Sequence, residues 1–298
     1  MMLLPLPLSI PLSQIRSKLL DQREVEMYVL ALDKTDSVIS GNKWFKLRLN
    51  LEEAKKRGAK RVITFGGAFS NHIHACAKAC ELAGLPLTGI IRGEEHLPLN
   101  QTLLDAKAWG MEIVYVSRTL YRKKNEPEFL KLIEEKWGPD CYIVPEGGSN
   151  ALGVVGACEI NRYIPDFATH ACLSIGSGGT IAGLALGARK NLRIRGYAAI
   201  KGGYELPTEI KKLQLSTGLT ENGIIDFVYD FHFGGFGKTN QTLKDFMRNF
   251  EQENGILLDP VYTGKLFFGI IKEIEMGLFE KGSKIIAIHT GGLQGRIL

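Results

Sequence analysis

Ala171-Cys172-Leu173-Ser174-Ile175-Gly176-Ser177-Gly178-Gly179-Thr180 decides the fold. Five uncharged residues of strand length run into a glycine cluster, and a helix-length apolar stretch starts at Ile181. A strand that is apolar throughout is buried on both faces, as strands are in parallel sheets covered by helices. Glycines let a backbone approach an anion closely, and Ser177 and Thr180 add hydroxyl donors where the helix begins. The spacing is not Gly-x-x-x-x-Gly-Lys-Ser/Thr, and no acidic residue follows where a dinucleotide's ribose would need one. Gly176, Ser177, Gly178, Gly179 and Thr180 therefore form a candidate cup for a phosphate other than a nucleotide's.

The same strand–turn–helix pattern repeats on both sides of this stretch from residue 60 onward. Strand-like runs fall at 61–65, 88–91, 112–116, 142–144, 171–175, 195–200, 226–231 and 284–289. Helical patterns fall at 71–83, 99–109, 128–137, 151–163, 181–189, 240–254 and 265–276. Gly84, Gly110, Gly138, Gly255 and Gly277 stand where helix stops are expected. The alternation predicts an α/β chain of mostly parallel sheets flanked by helices. No internal repeat or low-complexity linker is visible, so any division into domains is made by chain crossings.

Four further junctions carry chemistry-bearing residues: Gly66-Gly67-Ala68-Phe69-Ser70-Asn71-His72, Pro145-Glu146-Gly147-Gly148-Ser149-Asn150, Leu258-Asp259-Pro260-Val261-Tyr262-Thr263-Gly264-Lys265 and His289-Thr290-Gly291-Gly292. Ser70 or Asn71 can cap a helix whose N-terminus favours an anion, although that turn alone reads equally well as an ordinary capped bend. Ligands gather at the carboxyl ends of parallel strands, so five such junctions can converge on one crevice. Lys43 and Lys46, in Ser40-Gly41-Asn42-Lys43-Trp44-Phe45-Lys46-Leu47, would by themselves read as a solvated pair. Beside the apolar Trp44 and Phe45, and with a phosphate cup in the chain, a lysine here suits a Schiff-base cofactor. Its amine, ordinarily near a pKa of about 10.4, needs burial or a neighbouring cation to act as a nucleophile.

Composition narrows the classes. The 298 residues suit one large or two modest domains, and 45% apolar with 23% charged residues is the profile of a folded globular chain. The net charge of +5 is spread among mixed signs. Lys55-Lys56-Arg57 and Arg122-Lys123-Lys124 read as solvated faces, not a nucleic-acid surface. Residues 1–12 contain three prolines and no basic start, unlike a secretory signal, and nothing approaches the roughly 20 apolar residues of a membrane span. Cys76 and Cys80 lack a second ligand pair, so the five cysteines read as thiols in a reducing cytoplasm. His72 and His74 give no metal spacing along a helix.

These segments resemble, in order and over nearly the whole chain, the 1-aminocyclopropane-1-carboxylate deaminases and D-cysteine desulfhydrases. Those are tryptophan-synthase-β-like (fold type II) pyridoxal-phosphate enzymes. The resemblance implies that Lys43 forms the Schiff base with pyridoxal 5′-phosphate, that Asn71 meets the ring's 3′-oxygen and that Gly176 to Thr180 hold the phosphate. It implies that Ser70, Asn71 and His72 receive the substrate carboxylate, with Ser70 near the reacting carbon. Tyr262 would be an acid–base or positioning group, and Thr263 would face the pyridine nitrogen. Phe69 stands where the family usually has Gln, Phe236 where it often has Tyr, and His74 where Arg is frequent. Cyclopropane-opening members carry Glu at the position of Thr263. A neutral hydroxyl there leaves the ring a weaker electron sink, which favours elimination of a good leaving group over opening a cyclopropane.

The implied activity is β-elimination on a small amino acid, D-cysteine giving pyruvate, sulfide and ammonia. The alternatives are 1-aminocyclopropane-1-carboxylate deamination to 2-oxobutyrate and ammonia, and a non-catalytic pyridoxal-phosphate binder. The family architecture implies a larger domain of residues 1–46 and 147–298, a smaller one of 47–146, and the cofactor in the cleft between them. Homodimerisation is usual in the family.

Overall fold

The computed structural model describes residues 4–220 and 222–296. Residues 1–3, 221, 297 and 298 lie outside the described residues, so the reading of residues 1–12 is only partly covered. The first part of the chain runs β1 (Leu12–Ile15), α1 (Lys18–Arg23), β2 (Glu26–Ala31), α2 (Asn42–Lys56), β3 (Arg61–Gly66), α3 (Asn71–Ala83), β4 (Leu87–Arg92), α4 (Gln101–Ala108) and β5 (Met111–Val116). It continues with α5 (Arg118–Arg122), α6 (Pro127–Trp137), β6 (Cys141–Val144), α7 (Ala151–Cys158), β7 (His170–Ile175), α8 (Gly179–Gly187) and β8 (Arg193–Ala198). Last come α9 (Leu206–Leu215), β9 (Ile225–Val228), α10 (Gln241–Asn254), α11 (Thr263–Glu275) and β10 (Lys284–His289).

Two sheets result. One has the order β1-β2-β10-β7-β8-β9, antiparallel only between β1 and β2; the other, β5-β4-β3-β6, is parallel throughout. Alternate residues of β10 serve opposite cores, as a period of two requires. Ile286 and Ile288 pack with α7 and α8, whereas Ile285 and Ala287 pack with α10 and α11. β3 behaves alike, with Val62 turned to one core and Ile63 and Phe65 to the other. All four of these β10 residues are fully buried. Truncating Ile286 to Ala would therefore cost about 2–5 kcal/mol.

All eight expected strands are present, most shifted by a residue or two. The run at 226–231 ends early, at Val228, because β9 is an edge strand paired only with β8. β1, α1, β2 and α2, which lie before residue 60, and α5 and α9 beyond it, were not expected from the pattern. The helical run at 151–163 is an α-helix to Cys158 and a 3-10 turn from Glu159 to Tyr163. Gly84 and Gly255 are left-handed C-caps. Helix α2 runs unbroken through residues 46 and 47, so the chain enters the four-stranded sheet on a rigid element that also packs on α7.

Candidate active site

Helix α2 starts where it does because Gly41 touches the segment after β10. Gly41 has φ +73°, and a Cβ there would collide with the carbonyl of Thr290, which also accepts the Asn42 N–H at 3.3 Å. Only glycine fits both the backbone angle and the approach. The first turn then presents Asn42, Lys43 and Lys46. Lys43 is half-buried, and its Nζ donates to Asn42 Oδ1 at 2.8 Å. Asn42 Nδ2 donates to Thr180 Oγ1 at 2.7 Å, joining the lysine's turn to the glycine loop between β7 and α8. Burial draws the Lys43 amine down to about 8, against the opposing charge of Asp259.

Lys46 is 1% exposed, and the partner of its Nζ is the neutral Ser149 Oγ at 2.7 Å. A methyl group on Gly179 would sit 2.7 Å from that Nζ. Burial, and secondarily the charge of Lys43, holds the Lys46 amine well below its ordinary value. Ser149 Oγ lies 2.7 Å from Ser177 Oγ, and a methyl group on Gly147 would lie 2.5 Å from Ser177 Oγ. The loops after β6 and β7 thus meet around one ammonium.

The turn into α11 reaches the same glycine loop through Tyr262. Asp259, 2% exposed, accepts the Val261 and Tyr262 N–H groups on Oδ1 at 2.9 and 2.8 Å. Its Oδ2 accepts the Thr263 N–H at 2.8 Å and the Thr263 hydroxyl at 2.6 Å. Thr263 Oγ1 in turn accepts the Asp259 N–H at 2.7 Å. With its proton committed to Asp259, the fully buried Thr263 offers a lone pair, not a proton, to anything placed against it. The Tyr262 hydroxyl would touch a methyl group on Gly176 at 3.1 Å. Burial first, then the charges of Asp259 and Glu146, raises the Tyr262 pKa and keeps it a phenol.

Ser70 caps α3, its Oγ accepting the His72 and Ile73 N–H groups at 3.2 and 3.3 Å. Asn71 Oδ1 accepts a hydrogen bond from Gln294 Nε2. Asn71 Nδ2 and the Asp259 carboxyl carbon lie 2.5 and 3.4 Å from where a methyl group on Gly292 would be. The His72 ring lies against the loop after β6, where a methyl group on Gly148 would be 3.5 Å from its Cε1 and 3.7 Å from its Nδ1. It is buried, with Nε2 2.7 Å from Thr64 Oγ1, whose own proton goes to the Val144 carbonyl at 2.9 Å. His72 Nε2 is therefore the donor, and burial together with Lys43 and Lys46 keeps the ring neutral. Phe69 and Phe236 are 62% and 52% exposed, and Phe236 meets the Tyr262 ring edge-on at 5.8 Å.

A family model described as "Pyridoxal-phosphate dependent enzyme" matches residues 13–291. The chain belongs to the pyridoxal-phosphate dependent enzymes. A Pyrococcus furiosus protein named provisionally as a 1-aminocyclopropane-1-carboxylate deaminase is 34% identical, covering 91% of this chain and 85% of the relative. A Yersinia pestis D-cysteine desulfhydrase is 29% identical, covering 93% of this chain and 89% of its own. A solved structure described as an ACC deaminase homologue superposes with a TM-score of 0.84 at 30% identity, covering 97% of this chain and 91% of that one. The expected fold type and cofactor are thus borne out.

This geometry fits pyridoxal phosphate. Glycines at 147, 176, 179 and 292 stand where side chains would fill the space between Lys46, Ser177, Tyr262 and Asn71. Buried Lys46, held by a neutral hydroxyl, calls for an anion, and the Gly176–Thr180 loop beside it provides the amides of a helix start. Lys46 was given no role from the sequence, because the stretch from 42 was not read as a helix. The signal was the i, i+3 spacing from Lys43, which puts both amines on one helix face. Asp259 four residues before Thr263 was likewise legible as a side chain turning back on its own backbone. Nothing local to Gln294 marks its contact with Asn71.

Proposed function

We propose that this enzyme is a lyase that removes the β-substituent of a small amino acid, D-cysteine foremost, converting it with water to pyruvate, sulfide and ammonia. The observation that carries this is the Lys43 amine, lowered to about 8 by burial and tied through Asn42 to Thr180 of the glycine loop. Lys43 would hold the cofactor covalently, with Lys46, Ser177, Thr180 and the amides of 176–180 around its phosphate. Asn71, oriented by Gln294, would meet the ring oxygen, and Thr263 the ring nitrogen. When bound, the cofactor supplies the electron sink for the α-carbon. Ser70 has both lone pairs engaged by α3 amides, which leaves its O–H free to donate, and we assign it to the substrate carboxylate. Set free when the substrate's own amine takes its place, Lys43 Nζ would take the α-proton, and Tyr262 Oη would return a proton to the departing sulfur. Residues 1–46 with 147–298, and residues 47–146, are the two units we assign to either side of the substrate.

One observation supports a second substrate. The hydroxyl of Thr263 is neutral, but it is donated to a buried carboxylate. An oxygen polarised in this way accepts a proton-bearing partner better than a lone threonine does, which favours deamination of 1-aminocyclopropane-1-carboxylate. Assaying pyruvate and sulfide from D-cysteine beside 2-oxobutyrate from the cyclopropane acid separates the two. A holoenzyme whose absorbance changes with neither compound, and which releases no keto acid, would leave a non-catalytic binder as the answer.

A further inference from the structure

We propose that Lys265 is a positioning residue that sets the width of the substrate cleft by pinning the glycine-rich loop 232–238, and with it Phe236, against Tyr262. Lys265 closes the Asp259-to-Lys265 motif, yet it takes no part in the chemistry above. It is 2% exposed, and its Nζ donates to the carbonyls of Gly235 at 2.8 Å and Ala199 at 3.3 Å. Burying an ammonium against two neutral carbonyls is unfavourable unless the fold gains something from its position. Burial lowers the amine to about 8, opposed by the charge of Asp259.

The two carbonyls lie where they matter. The Ala199 N–H donates to Ile175 O at 3.1 Å, so this residue is tied to the strand that delivers Gly176. The Gly235 carbonyl belongs to the peptide unit that leads into Phe236. Fixing it fixes the start of that residue.

Among the described residues, the loop has few other ties. Phe233, Gly234, Gly235 and Gly237 all have positive φ, at 52°, 92°, 119° and 67°. Its internal bonds are Gly235 N–H to His232 O at 3.0 Å, Lys238 N–H to Gly235 O at 3.1 Å and Gly234 N–H to His232 Nδ1 at 2.9 Å. Phe233 anchors the base, edge-on to Phe268 at 4.9 Å, but Phe236 stands half in solvent with its edge on Tyr262. Lys265 links helix α11, which starts directly after Tyr262, to the loop whose Phe236 meets the Tyr262 ring. A pinned Phe236 admits compact β-substituted amino acids and hinders bulky ones. That consequence rests on Tyr262 meeting the substrate, as proposed above; the pin itself does not.

The test uses holoenzyme with Lys265→Met, which removes the donors, Lys265→Arg, which restores them, and Phe236→Ala at an exposed position. Amide hydrogen exchange over 233–238 is expected to quicken about tenfold in Lys265→Met and to slow again in Lys265→Arg, with the cofactor's visible band intact. The KM for D-cysteine should rise about fivefold in Lys265→Met and Phe236→Ala, with kcat within about twofold and relative kcat/KM for S-alkylated cysteines increased. Unchanged exchange in Lys265→Met overturns the pin. Faster exchange with an unchanged KM, or an unchanged KM in Phe236→Ala, overturns the control of cleft width. Loss of the visible band together with kcat marks a general structural role and also overturns it. If wild-type enzyme turns over neither substrate, the proposed function fails by itself, and the exchange measurement still decides the pin.

Discussion

Lys46 and Asp259 are both almost fully buried, on the two walls we assign to the proposed cleft, and the fold treats them differently. Asp259 has every acceptor position turned to use, with three backbone N–H groups and one hydroxyl between 2.6 and 2.9 Å. Lys46 has one neutral hydroxyl and a like-charged neighbour. A buried ion left so poorly compensated costs several kcal/mol, so the folded chain tolerates at Lys46 what it avoids at Asp259. The contrast separates a wall that is finished by folding from a wall that is finished by binding.

Removing Lys43 should give the largest effect, because it deletes both anchor and base on the unfinished wall. Lys43→Ala is expected to lose the visible cofactor band and to lower kcat by about 10²–10⁴-fold for whichever substrate is turned over. An unchanged band would place the covalent anchor elsewhere. Lys46→Met sharpens the comparison next. Cofactor affinity, read by titrating the band, should fall about 10–100-fold, the worth of one charge-assisted contact. The cofactor-free protein should move the other way. Its folded state disfavours a proton that the unfolded chain carries at pH 7, so the substitution should raise stability by about 1–3 kcal/mol in a denaturant melt. A cofactor-free protein that is destabilised would mean that Lys46 is as well compensated as Asp259.

Asp259→Asn probes the finished wall. An amide can satisfy only part of the acceptor set and turns a donor toward backbone N–H groups. The cofactor-free protein should therefore lose about 1–3 kcal/mol. No loss would mean that the turn into α11 is held by its backbone alone.

The two walls also differed in how far the sequence disclosed them. Gly176 to Thr180, Lys43 and the Ser70 cap were visible because each follows a local pattern: strand, glycine turn, helix start. β1, β2 and α2 were not, because their burial depends on distant partners. β2 is sandwiched between β1 and β10, the latter some 250 residues away along the chain. Burial separates Lys46 from any surface lysine, and burial is a tertiary property. His72 is the converse case. The triplet Ser70-Asn71-His72 reads as a unit, but on a helix its third side chain swings about 200° from the first. Its Nε2 is engaged by Thr64 on β3, a contact that the triplet does not disclose, while its Nδ1 edge lies by Gly148.

The smallest expected effect is in pH, and it compares the walls directly. Covalent capture of the cofactor needs Lys43 as free amine, so the capture rate should follow the fraction unprotonated. With the amine lowered from 10.5 to about 8, that fraction is greater above the midpoint and falls below it. Between pH 7 and 8 the rate should rise about fivefold, and between 8 and 9 less than about twofold. An ordinary lysine would keep gaining about tenfold per unit through this range. Burial pulls the value down while Asp259 pulls it up. In Asp259→Asn the upward pull disappears, and the midpoint should shift below 8. A midpoint that stays put in that variant would mean that the carboxylate, already shared among four donors, projects too little charge across the cleft to reach Lys43.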